Sequence, residues 1–120
     1  MRHLALFATA LAALPAGQAL AHAQLVKADP AVGSTVARAP SQLRLRFDQV
    51  IRLGASGVML TTPGGGRLLL VPLAHDPADP RAVTAPLPAA MGPGRYQVQW
   101  RALSPDGHRT QGDFAFSVGP

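Results

Sequence analysis

Strict period-two alternation dominates the chain. Leu43, Leu45 and Phe47 alternate with Arg44, Arg46 and Asp48; Tyr96, Val98, Trp100 and Ala102 alternate with Arg95, Gln97, Gln99 and Arg101; Phe114, Phe116 and Val118 alternate with Asp113, Ala115 and Ser117. Side chains on a strand point to opposite faces in turn, so each run predicts a strand with one buried and one wet face. Shorter runs predict strands at Ala23 to Lys27, Val58 to Thr61, Arg67 to Val71 and Ala82 to Leu87, about seven in all. Between them stand turn signals: Asp29-Pro30, Ala39-Pro40, Pro63-Gly64-Gly65-Gly66, Asp76-Pro77, Asp79-Pro80, Gly92-Pro93-Gly94 and Pro105-Asp106-Gly107. No segment after residue 22 carries the apolar stripe of an amphipathic helix.

Short strands with frequent turns point to an all-β fold, an antiparallel Greek-key β-sandwich or barrel of immunoglobulin-like shape without the immunoglobulin cysteine pair. Trp100, Tyr96, Phe47, Phe114 and Phe116 are the large candidate core fillers. Each is worth about 2 kcal/mol or more when buried.

Residues 1–21 have a different texture. Arg2 and His3 precede an apolar stretch from Leu4 to Leu14, and Ala19-Leu20-Ala21 gives the small-x-small pattern of a secretory signal peptide. Cleavage after Ala21 would leave residues 22–120 as one exported domain, in the periplasm or outside the cell, with His22 at its N-terminus. A cut after Ala23 fits the same rule and would remove His22. The apolar stretch is too short to span a bilayer, and no later segment approaches about 20 apolar residues, so no membrane insertion is expected.

The chain has no cysteine, which excludes disulfides and thiolate metal ligands. Net charge is +5, falling to +4 once Arg2 is removed, and every acidic residue is Asp. Positive charge can signal nucleic acid. Here the arginines are scattered singly with no phosphate-binding cluster, so they read as a solvated face.

Candidate chemistry lies at the two ends of the exported domain. An N-terminal His22 would offer its α-amine and an imidazole nitrogen to one metal ion. Asp106 and His108 would point to the same side of an extended stretch, with Gly107 allowing the tight turn between them, and could complete the site. The plainer alternative is that Asp106-Gly107 is only a hairpin turn with His108 solvated. His75, beside Asp76-Pro77, reads as a solvated loop residue, and Met59 and Met91 as core or loop residues. Pro63-Gly64-Gly65-Gly66 is followed by neither Lys nor a helix, so it is no phosphate loop.

The segment from Tyr96 to Val118 contains Tyr96-x-Val98-x-Trp100, then Ser104-x-Asp106-Gly107-His108, then Gly112 with Phe116 and Val118. It resembles the C-terminal signature of the CopC family of periplasmic copper-binding proteins. His22-Ala23-x-Leu25, Pro30-Ala31-x-Gly33 and Ala39-Pro40 resemble that family's N-terminal pattern. The resemblance implies one copper(II) per chain, held by His22, Asp106 and His108, in a carrier, sequestering or tolerance protein that catalyses nothing. It also implies a partner in the inner membrane, a copper transporter of the CopD kind; a monomer is expected. Three nitrogens and a carboxylate oxygen suit tetragonal copper(II). The family's methionine-rich copper(I) segment has no counterpart here. Gln49 stands where the family pattern suggests an acid, which removes a supporting carboxylate. Two rival readings remain: a copper oxidase of the lytic polysaccharide monooxygenase type, which also uses an N-terminal histidine, and a metal-free interaction module.

Overall fold

Among the described residues the alternation is realised as nine strands. A computed structural model describes residues 23–120, so the leader read in residues 1–21 and the domain's first residue, His22, lie outside the described residues. The strands are β1 (Leu25–Asp29), β2 (Thr35–Val36), β3 (Gln42–Phe47), β4 (Gly57–Thr61), β5 (Arg67–Leu69), β6 (Ala74–Asp76), β7 (Asp79–Pro86), β8 (Gly94–Leu103) and β9 (Arg109–Val118). One short 3-10 turn, Leu53–Ala55, precedes β4. Two sheets, ordered β1-β3-β7-β6 and β2-β9-β8-β4-β5, stack as a β-sandwich.

Residues expected to face inward do so. Leu43, Leu45 and Phe47 from one sheet meet Leu60, Val98, Phe116 and Trp100 from the other, and all are buried. Phe47 meets Trp100 edge to face at 5.3 Å, and Tyr96 stacks on Phe116 at 5.7 Å. These arrangements suit the ring quadrupoles. The Tyr96 hydroxyl, the one polar atom that residue brings, donates to the Gly92 carbonyl at 2.7 Å.

The sandwich departs from the sequence expectation in three places. Thr35–Val36 pairs with Ser117–Val118 in parallel, so the fold is not wholly antiparallel. The turn expected at Asp76-Pro77 forms, but it joins two strands as the β6–β7 hairpin, and Asp79-Pro80, expected as a second turn, begins β7. Arg44 and Arg46 are not simply solvated. Arg44 Nε lies 3.0 Å from Asp76 Oδ2 and Arg46 Nε 2.8 Å from Asp79 Oδ2, pinning the hairpin to β3. Hydrogen bonds from the Ala78 amide and Arg44 hold the Asp76 carboxyl below its ordinary range, and Arg46 does the same for Asp79.

Gly112 has a packing reason to be glycine. It pairs with Trp100 across β8 and β9, and a Cβ there would lie 2.6 Å from Trp100 Cζ2. The indole also packs edge to face against Phe47, so making room for that Cβ would disturb this contact. Gly112→Ala should therefore destabilise the domain by about 1–3 kcal/mol and shift the emission of its sole tryptophan. A melting curve matching the parent's would contradict this packing.

Candidate metal centre

Strands β8 and β9 form the longest pair among the described residues and are joined by Ser104-Pro105-Asp106-Gly107-His108. Pro105 presets the first corner of a turn, and the Gly107 amide donates to the Ser104 carbonyl at 3.0 Å. Gly107 follows with φ +91°, a left-handed conformation that strains any side chain. The Ser104 amide then donates to the His108 carbonyl at 2.9 Å and restores strand pairing. This is the three-residue hairpin loop in which a turn is followed by a left-handed glycine.

Asp106 and His108 meet through the tight turn expected at Gly107, with the stretch between them turned rather than extended. His108 Nδ1 lies 3.0 Å from Asp106 Oδ2, and the His108 amide lies 3.3 Å from Oδ1. The hairpin turn expected at Asp106-Gly107 is present, and it brings the two side chains into contact. Neither side chain is buried, with relative exposures of 57% for His108 and 43% for Asp106, so both can be reached from solvent.

The residue missed at sequence level is Ser104. It is fully buried, and its hydroxyl makes a short hydrogen bond to Asp106 Oδ1 while lying 3.1 Å from the His108 carbonyl. Its signal was a small hydroxyl residue at a strand end immediately before Pro-Asp-Gly, where such side chains bond to nearby loop atoms. The Ser104 hydroxyl, then the His108 ring and amide, lower the Asp106 carboxyl to about 2. Asp106 is therefore an anion at any pH where an imidazole is neutral. Ser104→Ala should raise the Asp106 value toward the ordinary carboxylate range in an NMR titration; a value still near 2 would show that the hydroxyl does not hold the carboxylate.

The same end of the sandwich gathers other segments. Arg52 donates to the Pro105 carbonyl at 3.1 Å, and Arg109 to the Ala55 carbonyl at 3.2 Å. Ala23 is fully buried, and its carbonyl accepts the Thr110 hydroxyl at 2.7 Å. Asp48 fastens the next residue, accepting from the Gln24 amide at 2.9 Å through Oδ1 and donating its own amide to the Gln24 carbonyl at 3.0 Å. The first described residue thus sits against Thr110, two positions after His108.

Other candidates do not join this pair. Among the described residues no three of His, Cys, Asp and Glu come together, so His75 forms no such group with Asp106 and His108. His75 is also not a solvated loop residue: it lies half-buried on β6 opposite Val83, with Nδ1 enclosed and unpartnered. Gln49 is half-buried just after β3. Met59 is neither core nor loop but sits half-buried on the outer face of β4, while Met91 packs against the core from a loop. No helix among the described residues is long and apolar enough to cross a membrane.

A β-sandwich whose β8–β9 loop presents an Asp-Gly-His pair defines a class. Residues 25–119 match the model of the CopC domain, and the chain belongs to the CopC family. It is 35% identical over 98 residues to Protein YobA of Escherichia coli strain K12, covering 82% of this chain and 79% of that protein. The crystal structure of CopC from Methylosinus trichosporium OB3b superposes with a TM-score of 0.73 at 32% identity, covering 82% of this chain and 95% of that one. PcoC, described as a methionine-rich copper resistance protein from Escherichia coli, gives 0.69 at 29% identity, covering 82% and 99%.

Proposed function

We propose that this protein is an exported, periplasmic copper(II) carrier that binds one ion per chain through His22, Asp106 and His108 and contributes to copper tolerance or supply. Family membership ties the chain to copper. The observation that carries the finer reading is the anchoring of Ala23 to Thr110, since His22 is one peptide link, about 3.8 Å between Cα atoms, from a residue held beside the His108 strand. Once the leader is removed after Ala21, the His22 amine and imidazole would join a preformed anionic carboxylate and a neighbouring imidazole. His108 Nδ1 and Asp106 Oδ2 lie 3.0 Å apart, so an ion held by both would take the place of the contact between them. Nitrogen donors with one carboxylate oxygen favour copper(II) in a tetragonal arrangement.

The ion is cargo in this reading, and the protein performs no reaction on it. All five aromatic residues among those described are buried in the core, which leaves no aromatic platform for a polymeric substrate of an oxidase. The ion would be passed to an inner-membrane transporter of the CopD kind.

Titration of the exported protein, its N-terminus fixed by mass analysis, tests this reading. One equivalent of copper(II) should bind, and reduction should then release it to a copper(I) chelator. Met59 and Met91 lie on different parts of the fold, so no thioether cluster is available to retain the reduced ion. Absence of copper(II) binding by a chain verified to begin at His22 would refute the proposal. Copper(I) retention lost in Met59→Leu or Met91→Leu would refute the oxidation-state preference.

A further inference from the structure

We infer that the open edge of β5, together with the apolar groove beside it, is a docking surface for an extended segment of a partner protein that alternates apolar and acidic residues. β5 is the last strand of its sheet. Its ladder to β4 uses Leu68 opposite Leu60, flanked by the bonds from Thr62 to Gly66 and from Leu70 to Val58. In an antiparallel pair the intervening residues face the other way, so Arg67 and Leu69 turn their backbone N–H and C=O groups to the unpaired edge. Sheet edges of this kind accept an added strand.

The side chains at this edge are those of a binding site rather than of a protected edge. Leu68, Leu69 and Val71 are 42%, 59% and 60% exposed. Leu69, Val71, Leu53 and Leu73 line a groove of about 300 Å³ between the end of β5 and the 3-10 turn. On the neighbouring outer face of the sheet, Arg67 and Arg101 border a second depression that shares Leu69 and Gly57 with the groove. Neither arginine has an ion-pair partner among the described residues, and Asp113 is the only acid lining that face.

Charge selects the occupant. A second copy docked edge to edge would bring Arg67 close to its own counterpart, which like-charge repulsion opposes, and would bring no acid to Arg101, two strands in from the edge. An acidic strand would set a carboxylate beside Arg67 and extend acidic side chains toward the depression that Arg67 shares with Arg101. A lipid surface could satisfy the charges but would use neither the concave groove nor the free backbone groups of Arg67 and Leu69.

The location gives the docking a purpose. Leu53 lines the groove, and Arg52 immediately before it holds the Pro105 carbonyl next to Asp106. A strand bound at β5 would thus lie at the same end of the sandwich as the Asp106–His108 loop. That the partner accepts copper rests on the carrier reading; the docking itself does not.

The test uses the copper-free exported protein, labelled with nitrogen-15, and three probes: a short capped peptide alternating valine and glutamate, its valine–lysine counterpart, and phosphatidylcholine vesicles containing phosphatidylglycerol. The glutamate peptide should shift the backbone amides of Arg67 and Leu69. Leu69→Asp and Arg101→Glu, both at exposed positions, should each weaken it by about ten-fold or more while leaving melting and copper titration unchanged. Unmoved Arg67 and Leu69 amides, equal binding of the lysine peptide, vesicle binding that exceeds peptide binding, or edge-mediated dimerisation in sedimentation would each overturn the inference. Peptide binding by a protein that fails to bind copper would leave the docking surface standing and remove only the carrier reading.

Discussion

Replacing His108 by Ala should abolish tight copper(II) binding and change the electron paramagnetic resonance spectrum from that of a tetragonal nitrogen/oxygen site to a weaker, oxygen-richer one. The reason is local. His108 is the only described imidazole next to Asp106, and its loop is built to keep the two together: the Gly107 turn, the Ser104 hydroxyl and the Asp106–His108 contact at 3.0 Å all serve the same geometry. Loss of one nitrogen from a small chelate removes several kcal/mol of metal binding, so affinity should drop by about a hundred-fold or more. The fold should survive, because His108 is exposed and its backbone bonds do not need the ring. An unchanged spectrum and affinity would remove His108 from the site.

The pH dependence follows from the same loop. The Asp106 value is lowered to about 2, so this carboxylate keeps its charge until the pH falls close to that value, and any stability its hydrogen bonds lend is present above the ordinary carboxylate range and lost only below it. Copper release above about pH 4 would therefore come from the nitrogen donors taking up protons, not from Asp106.

The sequence made the frame of this molecule legible where one physical rule acts alone. β3, β8 and β9 were readable because Leu43, Leu45 and Phe47 and their counterparts obey the period of a half-buried strand over many residues. β2 was not, since two residues pairing in parallel with β9 leave no local pattern. β6 was hidden by its own turn residues: Asp76 and Asp79 read as loop formers until the folded chain brings Arg44 and Arg46 to them across the sheet. At the site, the spacing of Asp106 and His108 and the turn at Gly107 were both visible, but the direct contact of the two side chains is made only once that turn folds. Ser104 escaped because serine usually faces water, whereas here the loop's own polar atoms satisfy it in the interior. The burial of His75 had the same origin, a position facing Val83 in a strand that the local sequence did not announce.

The central claim is that the amine and imidazole of His22 chelate the same ion as Asp106 and His108. One extra glycine in front of His22 converts that amine into an amide and removes a ligand while leaving every described side chain in place. Copper(II) titration of the extended protein, verified intact by mass spectrometry and compared with the protein beginning at His22, isolates that single donor. Affinity should fall by about a hundred-fold or more, with melting of the metal-free domain unchanged because a chain end adds little packing. Full affinity in the extended protein would contradict the N-terminal chelate.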